Sequence, residues 1–226
     1  YGGNAAMMHY HATPEDHAKL QRKGFLLVDS GATYMDGTTD ITRTYPLGEL
    51  TEDERKFYTW TLQCHIDIAK AVWLDYCDCH MIDTIAREPL WRHLINYRCG
   101  TGHSVSFVGN VHEGPHALNG RNTTLMRPGM IVTDEPGVYE TDLVGIRIEN
   151  ELVCVHKADN QYGTFLGFEP IMFVPIATSP IVPGVLTKDE LDWLNNYHRQ
   201  VFEKLAPRLN DEEREWLAKK CAAIGC

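Results

Sequence analysis

The chain has 226 residues, 43% of them hydrophobic and 23% charged, a composition that fits an ordinary globular domain and argues against disordered and low-complexity architectures. Lys and Arg number 21 against 31 Asp and Glu, so the net charge is −10. That balance speaks against a nucleic-acid partner, which needs a basic face, and leaves acid that can serve a cation.

No run of about 18 apolar residues occurs, so no membrane-spanning helix and no membrane partner are expected. The opening Tyr1-Gly2-Gly3-Asn4 has no signal-peptide pattern and no initiator Met, so the chain reads as an internal fragment. Its seven cysteines, odd in number and irregular in spacing, read as free thiols in a reducing compartment.

Phe25–Ser30 is an apolar run entering a turn and reads as a strand. Asp36-Gly37 signals a hairpin, with β-branched Thr38–Tyr45 as the return strand. Thr51 and Glu54 form a capping box, predicting a helix to about Leu74. A second helix is expected over Met81–Leu94, perturbed by Pro89. Met130–Asp134, Gly145–Val155 and Gly167–Val174 read as strands bounded by Gly or Pro. Thr187 with Glu190 caps a helix through Leu205, and Asn210 with Glu213 caps a last one through Ala223. Strands, two helices, strands, two helices make an α+β order rather than strict βαβ alternation.

Several motifs fail on context. Cys77-Asp78-Cys79-His80 has no second cluster to close a tetrahedral site. His112-Glu113-Gly114-Pro115-His116 matches H-E-x-x-H, but Gly-Pro breaks the helix that motif needs. Gly100-Thr101-Gly102 has Val105 where a dinucleotide fingerprint needs its third glycine, and no G-x-S-x-G elbow exists. What remains is a set of acids on strands. A hairpin near Asp36 brings Asp29 and Asp40 together, Glu135 ends the VTDEP segment, and Glu149 lies within GIRIENELV. On a regular strand Arg147, Glu149 and Glu151 would share one face, opposite Ile146, Ile148 and Asn150.

VDSGATYMDGTTDITRT, GTGH, VHEGP, GMIVTDEPGVYE and GIRIENEL, in this order, resemble the catalytic domain of the Xaa-Pro aminopeptidases (aminopeptidase P), in the creatinase-like, pita-bread metallopeptidase family. LTKDELDWLNNYH resembles the C-terminal extension of the long-chain branch, and NAAMMHY a segment just before the first ligand strand. The resemblance implies a pita-bread fold: a curved, mostly antiparallel sheet with helices on its outer face, here without the first-half helices. The catalytic domain would cover residues 1–180 and the helical extension 181–226.

The resemblance also implies two divalent metal ions held by Asp29, Asp40, His103, Glu135 and Glu149, with Asp40 and Glu149 bridging. Asp29 would bind one ion only, and His103 and Glu135 the other. Glu135 would shuttle a proton as a catalytic residue. His9 and His112 would contact substrate and intermediate, and Arg147 would line the proline side. An oxygen-rich donor set favours Mn²⁺, with Zn²⁺ or Co²⁺ as alternatives. The implied reaction is hydrolysis between an N-terminal residue and a following proline, by a cytoplasmic enzyme that is a homodimer at full length. The rivals are a prolidase cleaving Xaa-Pro dipeptides and a non-catalytic module on the same fold.

The sequence departs from the family at Cys99, where another His is usual, and at Ser104 and Ser106, where GTGHGVG is common. Without first-half helices, the FLLVDS face is expected to expose apolar side chains. That exposure predicts association through the face or disorder near Tyr1–Lys23, with loosened first-half ligands.

Overall fold

In the computed structural model, which describes residues 1–225, the chain forms ten strands and four α-helices. Cys226, included above among the free thiols, lies outside the described residues; the other six cysteines are unpaired.

A 3₁₀ turn, Gly2–Ala6, opens the chain. The hairpin follows as β1 (Phe25–Tyr34) and β2 (Gly37–Pro46), turning at Met35-Asp36 with Tyr34 opposite Gly37. Next come α1 (Glu52–Ala69), β3 (Val72–Leu74) and α2 (Cys79–Trp91). The short strands β4 (Gly102–His103) and β5 (Ala117–Leu118) precede β6 (Ile131–Asp134), β7 (Gly137–Glu140) and β8 (Val144–Arg147). Then come β9 (Asn150–Asn160), β10 (Gly163–Pro170), α3 (Lys188–Leu205) and α4 (Asp211–Lys220). Every strand pair is antiparallel, and the largest sheet runs β3-β10-β9-β6.

Four expected boundaries are corrected. The first helix stops at Ala69 because Val72–Leu74 is taken by the sheet, pairing with β10, where Trp73 is 5% exposed. The second helix begins at Cys79, since Asp78 caps it by accepting from the Met81 N–H, and ends at Trp91. The predicted strand Gly145–Val155 is two strands broken at Ile148-Glu149, so the regular alternation fails there. The last predicted strand lies earlier, at Gly163–Pro170. All three capping boxes are present in both directions.

Helices α1 and α2 bury Ile68, Ile82 and Ala86 against Val132, Leu152 and Leu166 of the sheet. The alternating residues Thr133 and Glu151 bond instead to Glu135 and Asp40, on the sheet face that carries the candidate site. A second cluster joins Phe25, Tyr58, Ile146, Leu194 and Tyr197, tying β1, α1, β8 and α3 into one core. Each large side chain buried this fully stabilises by ~1.5–3 kcal/mol. Phe25 stacks on Tyr58 at 5.3 Å, so the exposure expected of FLLVDS falls on Val28, 39% exposed, and not on Phe25. The opening turn crosses β8 so closely that a Cβ on Gly145 would lie 1.8 Å from the Ala5 carbonyl oxygen. This seats the segment that leads to His9.

Candidate metal centre

Asp29, Asp40, His103, Glu135 and Glu149, together with His9, His112 and Arg147, line one cavity of about 310 Å³. Ligand atoms of Asp40, His103 and Glu149 lie within 4.8 Å of one another, forming the tightest group. Glu135 Oε1 is 3.2 Å from His103 Nε2. Asp29 is set slightly apart, accepting from Arg147 Nη2 at 2.6 Å, while Arg147 Nε is 4.0 Å from Glu135 Oε2.

Several of these residues are braced from outside the cavity. Thr42 donates to Glu149 Oε2 at 2.6 Å, and Glu151 Oε1 accepts the Asp40 N–H at 2.7 Å. The Glu149 N–H donates to the Thr42 carbonyl at 3.1 Å, and Arg43 Nη1 donates to the Glu149 carbonyl. Thr133 donates to Glu135 Oε1 at 2.9 Å and accepts the His103 N–H at 2.9 Å. That junction needs a glycine: a Cβ on Gly102 would sit 1.8 Å from the Thr133 carbonyl oxygen. The His112 ring meets His103 edge-on at 4.1 Å between centroids.

The electrostatics of the group call for positive charge. Glu149 is 1% exposed; burial first, and then Glu135 and Asp40, hold its carboxyl well above the usual carboxylate range. Burial, offset in part by Arg147, raises Asp29. Burial also pushes Glu151 up to about 7. For His103 burial works downward, but hydrogen bonds to Asp40 and Glu135 outweigh it and hold the ring at about 10.

The tautomer of His103 tests the fit to a metal. Its Nδ1 lies 3.1 Å from the Ser104 carbonyl and donates to it, leaving the Nε2 lone pair facing Asp40 at 3.4 Å and Glu135 at 3.2 Å. A lone pair opposite carboxylate oxygens is stable only with a cation among them, either a proton or a metal ion. Four carboxylates and one imidazole so arranged fit a divalent ion of oxygen preference.

The rejected motifs separate in space. His112 lines this cavity, whereas His116 donates from Nε2 to the Ile131 carbonyl at 2.7 Å and lines another. Among the described residues no Cys/His group gathers near Cys77, Cys79 and His80.

Sequence reasoning missed the supports. Arg43, 3% exposed, also donates to Asn150 Oδ1 at 2.8 Å, and Asn150 in turn donates to His65 Nε2 at 3.3 Å. His65 Nδ1 lies 3.0 Å from Asp134, next to Glu135. Arg87 fixes the segment before His103 by donating to the Cys99 carbonyl at 2.8 Å. An arginine inside the β-branched run TDITRT was the available signal, since a charge in a buried strand needs partners.

Residues 1–156 match metallopeptidase family M24, and residues 164–224 match the C-terminal region of peptidase M24. Aminopeptidase P1 of Lotus japonicus is 42% identical over 99% of this chain and 35% of its own length. Aminopeptidase P2 of Arabidopsis thaliana is 43% identical over 96% of the chain and 31% of its own. The chain thus spans about a third of the length of these curated relatives. Among solved structures, X-prolyl aminopeptidase from Caenorhabditis elegans, described as a cytosolic enzyme with a di-nuclear active site, superposes with a TM-score of 0.92. It is 36% identical, covering 99% of this chain and 37% of that one. Prolidase from Pyrococcus furiosus reaches 0.63 at 27% identity, covering 75% of this chain and 46% of that one.

Proposed function

The chain belongs to metallopeptidase family M24, with its pita-bread fold, and on that premise we propose that it carries the catalytic centre of a dinuclear-metal Xaa-Pro aminopeptidase. The observation that carries this reading is the convergence of Asp40, His103 and Glu149, from three separate strand regions, within 4.8 Å, with Glu135 and Asp29 beside them. These residues would hold two divalent ions, Mn²⁺ by the donor chemistry, and such ions make water a nucleophile at neutral pH and polarise the scissile carbonyl.

The chain's own groups would do the rest. Asp40 and Glu149 would supply charge, Glu149 held by the Thr42 hydroxyl that donates to it and Asp40 through its own N–H, which donates to Glu151. Glu135, 22% exposed at its side chain and oriented by Thr133, would receive a proton from water and deliver it to the leaving proline nitrogen. His9 and His112 line the cavity where they can bond to substrate and to the developing oxyanion. Arg147, its guanidinium tied to Asp29 and to Tyr139 Oη at 3.1 Å, forms a fixed wall for the proline side. A cytoplasmic setting and a homodimeric full-length protein belong to the same proposal. The cytosolic Caenorhabditis elegans enzyme supports the first.

The deciding experiment pairs elemental analysis of the purified chain with cleavage of an Xaa-Pro-Xaa tripeptide and an Xaa-Pro dipeptide. Two divalent ions per chain and preference for the tripeptide are expected of the longer protein. Preference for the dipeptide would make it a prolidase. Metal bound with neither substrate cleaved by that longer protein would make the fold a binding module.

A further inference from the structure

The ladder between β6 and β9 ends at Asp134 opposite Asn150. One residue further along each strand stand Glu135 and Glu149. Alternation turns these two side chains into the cavity and turns Asp134 and Asn150 toward the helices. Among the described residues no ladder bond joins the two glutamates. The Glu135 N–H donates to the Thr101 carbonyl at 2.7 Å, and the Glu149 N–H to the Thr42 carbonyl at 3.1 Å. Their separation therefore depends on how firmly the pair before them is held.

On the helix side that pair meets a single ring. His65 of α1 is fully buried, with Nδ1 3.0 Å from Asp134 Oδ2 and Nε2 3.3 Å from Asn150 Nδ2. The polarity of this chain is set at its far end. Arg43, which can only donate, bonds to Asn150 Oδ1 at 2.8 Å, and the Tyr197 hydroxyl donates to the same oxygen at 3.1 Å. The Asn150 amide N–H is thereby turned to His65, whose Nε2 accepts it. The ring proton is left on Nδ1, on the side of Asp134. Trp193 of α3 packs edge-on against the imidazole at 5.8 Å between centroids and closes it in from behind.

We propose that His65 is a positioning residue: through Asp134 and Asn150 it fixes the separation of Glu135 and Glu149 from the far side of the sheet. Its bearing on metal binding rests on the reading of those glutamates as ligands. The clamp itself belongs to the metal-free chain.

The test compares His65→Leu, His65→Asn and His65→Gln with Ile68→Val, a core substitution in the same helix. The Asn amide reaches the place of Nδ1 and keeps a donor for Asp134. The longer Gln reaches the place of Nε2 and keeps a partner for Asn150. Each chain is titrated calorimetrically with Mn²⁺ well below its melting temperature, and amide hydrogen exchange is followed without metal. His65→Leu should bind Mn²⁺ about tenfold more weakly, the lower end of what losing an orienting group costs. His65→Asn should quicken exchange over residues 149–151, and His65→Gln over 133–135, each with a smaller loss of affinity than His65→Leu. Ile68→Val should lower the melting temperature and leave Mn²⁺ affinity unchanged, which separates positioning from mere stability. Affinity unchanged in all three His65 variants, or lowered equally by Ile68→Val, would overturn the proposal. So would exchange that quickens evenly over α1 and the whole sheet. Should His65→Leu fail to fold, the Asn and Gln variants decide by the same criteria. A parent chain that binds no metal would overturn the functional reading, and the clamp would then stand or fall on the exchange pattern alone.

Discussion

Glu149 is the residue on which the proposed metal centre bears hardest. It is 1% exposed, bonded to Thr42 and faced by Asp40 and Glu135, so its negative charge is opposed by burial and by its neighbours together. Removing that charge has opposite effects on two properties. Glu149→Gln or Asp40→Asn should lower metal affinity by more than the ~10–100-fold that losing a group which only orients a ligand costs. In the metal-free chain the same substitutions relieve like-charge repulsion, so the melting temperature should hold or rise. Calorimetric metal titration and a melting curve of the metal-free chain read the two effects separately. His116→Ala, lining the other cavity, should leave the titration unchanged. A Glu149→Gln chain that bound metal like the parent would remove that residue from the ligand set. The acids themselves were legible in the sequence because carboxylates on apolar strands are out of place. Of their supports only Arg43 left a signal, a charge inside a β-branched run, while Thr42 and Glu151 look like ordinary strand residues until the chain brings β2 beside β9.

At the scale of the elements, local chemistry was legible and long-range competition was not. The capping boxes at Thr51, Thr187 and Asn210 formed as their side chains dictate, each closed within four residues. The end of α1 was decided elsewhere: Val72–Leu74 suits a strand, and β10 offered it an edge. The break at Ile148-Glu149 was invisible because Ile146, Arg147, Ile148 and Glu149 alternate apolar and charged straight into it, as one regular strand would. Helix α3 offers a test through His198, which is fully buried and accepts the Ile176 N–H on Nε2 at 3.1 Å. Burial first, and then Arg43, lower its pKa from 6.5 to about 4. The folded state therefore holds this imidazole neutral, while the unfolded chain takes up a proton as pH falls through 6.5. At this site the unfolded state binds more protons between about pH 6.5 and 4, so the His198 contribution to stability falls with acid. The shift corresponds to a loss on the order of 3 kcal/mol at this site across that window. The raised carboxyls of Glu149 and Glu151 act in the opposite direction in both chains, so the expected result is a difference: from pH 7 down to pH 5 the urea midpoint of the parent should fall relative to that of His198→Gln. Parallel curves for the two would show that His198 does not set the slope.

Across the whole molecule, the proposed ligands from the hairpin β1–β2 meet proposed ligands from segments attached to β4, β6, β8 and β9. Ions that bind only the folded state stabilise it by mass action, by about 2.7 kcal/mol at a hundredfold excess over Kd. A chelator should therefore lower the melting temperature at pH 7 and added Mn²⁺ should restore it. No movement in either direction would mean that the acids do not hold metal in this chain. The hairpin and the four-stranded sheet are separate ladders, joined at the site by single bonds such as the Glu149 N–H to the Thr42 carbonyl and the clasp of Glu151 on Asp40. The spacing of the ligands is consequently a gauge of the distance between two plates. Ions of different radius ask for different gaps, so preference among them is adjustable from far away. A substitution under Phe25 or Tyr58 that tilts the hairpin by a few tenths of an ångström would retune the choice of ion with every ligand left in place.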